Sequence, residues 1–143
     1  MKRSFQLTYT AAILLAVFSA SALFAQKTSD HRETLLATVA AQPPNAPGMT
    51  LTTVIAEYGP GTSTPSHRHG NAFAMVYILD GTIVSKVDGK EVVLHAGDHF
   101  TEDPNAHHEI FRNPSTTKTT RVLAVFLAPS AEAERDLTIL DQK

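Results

Sequence analysis

His67 and His69 stand one residue apart, directly after a loop-type stretch, Gly61-Thr62-Ser63-Thr64-Pro65-Ser66. Neutral imidazole is the commonest side-chain ligand for transition metals. In an extended chain residues i and i+2 point to the same face, so both rings can address one ion while Arg68 points away. A second pair, His107 and His108, opens another strand-like run further on. His108 has opposite strand parity to His107 and Glu109, so a regular strand presents only one of these sets to a common ligand. A sheet that folds back on itself would bring the two stretches face to face.

The remaining polar candidates carry less. His31 lies in a polar leader, and His95 and His99 flank an Ala-Gly-Asp turn, where a spacing of four does not bring side chains together. Glu102 and Asp103 are acid or base candidates, although acids at such positions usually sit at solvated strand ends. Asn71 follows His69 in a Gly-Asn pair whose composition favours a turn over a ligand role. Tyr77 lies within an apolar run and reads as packing.

The elements that must position these residues are short β-type runs. Met49 to Tyr58, Ala72 to Leu79, Thr82 to Val87, Lys90 to Leu94, His99 to Thr101, His107 to Arg112 and Thr119 to Ala128 are separated by Gly, Pro, Asn and Asp. Asp80-Gly81 and Asp88-Gly89 are hairpin-type signals. No segment from 49 to 128 keeps a 3.6-residue period, and many short strands at this spacing indicate an all-β sandwich or barrel. Glu33 to Ala41 favours a further strand, 42–48 is a Pro-rich loop, residues 131–135 favour a helical turn and 137–140 a final extended piece. The run 72–79 is apolar on both faces: Phe73, Met75, Tyr77 and Leu79 on one, Ala74, Val76 and Ile78 on the other. The outer face must also be covered, by the N-terminal strand or by a second subunit, and the latter would make a homodimer.

The chain has 143 residues, a formal net charge of −2 and no cysteine. That suffices for one domain. No basic patch marks nucleic acid as a partner. The lack of cysteine excludes disulfides, thiolate catalysis and Cys-based zinc or iron–sulfur sites. Residues 1–25 have the layout of a signal peptide: basic Lys2-Arg3, an apolar run, then small residues, with cleavage after Ala22 or Ala25. The apolar part is shorter than the roughly 20 residues a spanning helix needs, so no stable membrane insertion is expected after cleavage. The expected location is the periplasm or the exterior. The organisation reads as signal peptide 1–25, leader and strand 26–48, barrel 49–128 and C-terminal extension 129–143.

Around the histidines the sequence resembles the cupins, small jelly-roll β-barrels with two motifs. The first runs Gly, five residues, His-x-His, three or four residues, Glu, six residues, Gly; Gly61, His67, His69 and Gly81 match, and Ala74 stands at the glutamate position. The second runs Gly, five residues, Pro-x-Gly, two residues, His, three residues, Asn. Counted from Gly97, its Pro-x-Gly positions fall on Asp103, Pro104 and Asn105 and its histidine on His108, while Asn113 comes one residue too late. Counted back from Asn113, the histidine position falls on Glu109.

The resemblance implies an all-β cupin jelly-roll (a double-stranded β-helix) with both motifs lining one open end. It implies one divalent transition metal, Fe, Mn, Ni, Zn or Cu, held by His67, His69 and His108. Glu109 would replace His108 if a bulge lies at His107-His108. Ala74 leaves the set without its carboxylate, so a three-histidine site is expected, its open position facing a lining that includes Ala74, Val76, Ile78 and Ile110. The implied function is metal-dependent oxygenase or isomerase chemistry on a small organic substrate; the competing one is a small-molecule or metal-binding module without turnover.

Overall fold

The structure is a computed structural model and describes residues 33–135 and 137–142. The expected signal peptide and His31 lie outside the described residues. In chain order the first strands are β1 (Thr34–Ala41), β2 (Met49–Tyr58), β3 (Ser63–Thr64), β4 (His67–Arg68), β5 (Phe73–Asp80) and β6 (Thr82–Val87). They are followed by β7 (Lys90–His95), β8 (His99–Glu102), β9 (His108–Arg112), β10 (Thr120–Pro129), the helical turn α1 (Ser130–Ala133) and β11 (Ile139–Leu140). One sheet has the order β1-β2-β10-β5-β8; the other has β11-β4-β9-β6-β7, with β3 also paired to β9. All pairings are antiparallel. This is the expected all-β jelly roll.

The two inner faces meet in a core to which the first sheet contributes Ala56, Tyr58, Val76, Ile78 and Val122, and the second Ile83, Leu94 and Phe111. β5 shows the expected alternation. Ala74, Val76 and Ile78 are buried, whereas Phe73, Met75, Tyr77 and Leu79 remain 38–39 % exposed. The N-terminal strand does not cover that outer face, because β1 pairs edge-on with β2. The apolar surface continues instead in register, Phe73, Met75 and Tyr77 lying opposite Leu127, Val125 and Leu123 of β10.

Asp88-Gly89 forms the expected hairpin, with both residues at positive φ (46° and 80°) and Val87 opposite Lys90. Asp80-Gly81 does not. β5 already has β10 and β8 as neighbours, so it has no free edge for β6, and Gly81 turns the chain across to the second sheet. Gly81 has φ +84°, and a Cβ on it would lie 2.9 Å from Thr120 Cα. Only glycine accepts that corner without strain.

One irregularity shapes the site strand. Lys86 lies opposite Ile110 and Val87 opposite His108, so Glu109 is an extra residue, a β-bulge. The bulge resets the alternation of β9, and both His108 and Phe111 turn inward although their spacing is odd. Ile110, expected to line the interior, is only half-buried, and Phe111 takes that place.

Candidate metal centre

The strand β4 delivers His67 directly opposite His108 on β9, and His69 follows on the same face two residues later. All three rings are buried, at 3 %, 8 % and 3 % exposure. One ring nitrogen from each lies within 4.8 Å of the others. The structure therefore brings together the three histidines singled out in the sequence. Glu109 points elsewhere: its carboxylate pairs with Lys86 and accepts a 2.7 Å hydrogen bond from Gly89 N. Asn71 is tied to Glu132, its Nδ2 donating to Oε1 at 2.7 Å. His107 also faces away, with Nε2 2.7 Å from Asp141. Of the interior positions expected beside the open site, Val76 lines the cavity; Ala74 and Ile78 are packed away behind it.

The partners of the rings assign their protons. His67 Nδ1 lies 2.7 Å from Pro65 O and His69 Nδ1 2.7 Å from Leu137 O. A carbonyl only accepts, so both Nδ1 atoms donate and both Nε2 atoms keep a lone pair. Those two Nε2 atoms face each other 3.2 Å apart. In two neutral rings, lone pairs at that distance repel unless a proton or a metal ion lies between them. Nitrogen ligands at about 2.0–2.1 Å from one ion stand roughly 3.0–3.4 Å apart, so the spacing suits a shared metal. Burial, reinforced by the neighbouring His69 and His108, lowers the His67 pKa to about 4, although its bond to Pro65 works the other way. At neutral pH the ring is a neutral ligand. The donor set fits a divalent transition metal.

His108 is held differently. Its Nε2 lies 3.0 Å from the buried Ser85 hydroxyl. Its Nδ1 lies 3.1 Å from Glu102 Oε1, an ion-pair approach whose angles fall outside regular hydrogen-bond geometry. Glu102, at the end of β8, is 2 % exposed, with Oε2 3.7 Å from His69 Nε2. Burial works to raise its carboxyl, but His108, His69 and His67 together hold it below the ordinary carboxylate range.

The centre opens into a cavity of about 490 Å³ between the sheets, walled by residues that include Val54, Tyr58, Val76, Val122 and Phe126. Its rim is closed from the C-terminal side. β11 pairs with β4, Ile139 opposite Arg68 and Leu140 opposite His67. Asp141 N donates to Ser66 O at 3.0 Å. The tail thus supplies both the wall and the carbonyl that orients His69.

Sequence reasoning missed two contributors and undervalued a third. Ser85 sits in a strand as an ordinary small polar residue, and Leu137 acts through its backbone, which leaves no mark in the side-chain pattern. Glu102 reads from sequence as an acid or base candidate, but a solvated one; its burial follows from the pairing of β8 with β5. The irregular second motif also resolves. The one-residue excess between His108 and Asn113 is the bulge at Glu109. At the glycine position of Pro-x-Gly, Asn105 adopts φ 63°, a conformation asparagine tolerates. Asn113 is buried and donates from Nδ2 to Tyr58 O, Gly59 O and Lys118 O, which clamps the end of β2.

Comparison with curated protein sequences gives no match. Among solved structures the chain is similar to an RmlC-like cupin from Shewanella frigidimarina, at 24 % identity and TM-score 0.51, over 62 % of this chain and 82 % of that one. It is also similar to the cupin domain of Schizosaccharomyces pombe Cnp3, at 14 % identity and TM-score 0.56, over 72 % of this chain and 66 % of that one. An oxalate oxidase in complex with the substrate analogue glycolate is similar at 16 % identity and TM-score 0.53, over 72 % of this chain and 54 % of that one. These likenesses concern the fold. A family model described as a cupin domain matches residues 54–126, just over half of the chain. Together with the jelly roll and its inward histidines, that match establishes that the chain belongs to the cupin family.

Proposed function

We propose that the protein is an exported cupin that holds one divalent transition metal through His67, His69 and His108 and acts on a small, oxygen-rich organic molecule as an oxygenase or isomerase. The observation that carries this reading is the pair of Nε2 atoms 3.2 Å apart, on rings whose Nδ1 atoms face backbone carbonyls, with His108 beside them. A bound divalent ion would supply Lewis acidity to a chelating substrate, and a redox-active one oxygenase chemistry as well. The chain's own residues supply the rest. Pro65 O and Leu137 O fix the two imidazoles in the ligating tautomer. The apolar wall excludes water around a ligand of modest size. Tyr58, bonded to Thr64 at 2.8 Å, keeps its proton, because burial, with the nearby charge of Glu33, pushes its phenol far above the usual range.

A second reading, a binding module without turnover, is favoured by one observation. Glu102 is the one buried acid among the described residues, and it lies against the imidazoles. Metal analysis of the protein isolated from its natural compartment tests both readings. About one equivalent of metal, lost in His67→Ala, is the expected result; below about a tenth of an equivalent, unaltered by that substitution, both metal readings fail. Metal at full occupancy without turnover of catechols, flavonols, diketones or thiols under air would select the binding module.

Export rests on the layout of residues 1–25, and mass spectrometry of the mature N-terminus tests it. Among the described residues no helix is long and apolar enough to cross a membrane. The outer apolar face supports a homodimer: Leu51 and Ile55 of β2 continue the rows of β10 and β5 in register. Sedimentation showing only monomer at micromolar concentration would refute the dimer.

A further inference from the structure

We infer that Glu102 is the carboxylate ligand of this centre, supplied by β8 in place of the residue that Ala74 lacks on β5. The inference rests on the metal-centre reading above and adds a fourth protein ligand to it.

Two observations converge. First, among the described residues the buried side-chain atoms without a hydrogen-bond partner are Thr52 Oγ1, both carboxylate oxygens of Glu102, and His108 Nδ1. Three of these four atoms meet at one point, where Glu102 Oε1 faces His108 Nδ1 at 3.1 Å. An ionised carboxylate that is buried without well-aligned donors costs several kcal/mol unless a cation compensates it. Second, Ala74 and Glu102 are direct partners across the β5·β8 ladder. Directly opposite side chains start about 5 Å apart, so a carboxylate on either strand reaches the same volume. Ala74 itself is fully buried and leaves that volume to its partner.

The consequence is chemical. Three neutral imidazoles leave the full charge of a divalent ion uncompensated; with Glu102 the set becomes three nitrogens and one anionic oxygen. Carboxylate oxygen favours manganese and iron relative to a purely imidazole set. A substrate would reach such an ion from the cavity that the three histidines and Glu102 line.

The test titrates the metal-free full-length protein with Mn²⁺ and with Zn²⁺ against a competing chelator, and repeats this for Glu102→Gln, which keeps the shape and removes the charge. Glu102→Gln is expected to lower Mn²⁺ affinity by at least about tenfold, with a smaller loss for Zn²⁺. The double variant Ala74→Glu/Glu102→Ala, which moves the carboxylate across the ladder, is expected to recover most of the loss. Circular dichroism of each variant confirms the fold before titration. Mn²⁺ affinity of Glu102→Gln within about twofold of wild type, in a folded protein, would overturn the assignment and leave the three-histidine centre standing. A wild-type protein that binds neither ion would overturn the metal-centre reading itself, and the assignment of Glu102 with it.

Discussion

Deleting residues 135–143 separates the two tasks of the C-terminal tail. The deletion keeps α1, and with it the contact of Glu132 with Asn71, but removes Leu137, β11 and Asp141. His69 then loses the carbonyl that accepts its Nδ1 proton at 2.7 Å, and β4 loses its partner strand. Outer hydrogen bonds of this kind are worth about 10- to 100-fold in metal affinity, or about 1.4–2.7 kcal/mol. The cost to the fold is expected to be smaller. The tail contributes a few backbone hydrogen bonds worth about 1 kcal/mol each, and its Asp141–His107 contact is exposed and worth little. Chelator competition reads the affinity, and urea denaturation of the metal-free protein reads the fold. The reasoning predicts a large loss in the first and a modest one in the second. A truncated protein that binds metal within about twofold of the full chain would refute it, because His69 would then be oriented without Leu137.

Two further outcomes are expected. Gly81→Ala forces a side chain into a positive-φ corner and against Thr120, so a loss of about 3 kcal/mol or more is expected in urea denaturation; a loss below about 1 kcal/mol would show that the corner can move. In the metal-free protein His67 has a pKa near 4 against an ordinary 6.5, so the unfolded chain binds the extra proton between those values. Stability is therefore intact above about pH 6.5 and falls by up to about 3 kcal/mol as the pH drops towards 4; Glu102, held low, loses its contribution in the same direction. Urea midpoints at pH 7 and pH 4.5 check this, and His67→Asn should flatten the profile.

The strands and turns were legible because each carries a local signal. Alternation in 72–79 separated the two faces of β5 correctly, and Asp88-Gly89 marked a true hairpin. Asp80-Gly81 carries the same dipeptide signal and is a crossover, because what decides between the two is whether β5 has a free edge. The histidines divide in the same way. His67 and His69 share a face by their spacing alone, whereas His108 required a motif count and a partner strand. The roles of Glu102 and the tail at the site escape both kinds of reasoning. One enters through the pairing of two distant strands, the other through a main-chain oxygen.

Glu109 is, in this light, a letter inserted into a message and corrected on the spot. Without the bulge, every residue of β9 after His108 would be read from the wrong face, with Ile110 inward and Phe111 in water. With it, the insertion is confined to one residue, whose carboxylate serves only a surface lysine and a turn amide. Deleting Glu109 should therefore not shift the frame but mend it. His108 and Phe111 would keep their faces, Asn113 would move into step with its motif, and the chain would lose little more than an exposed ion pair.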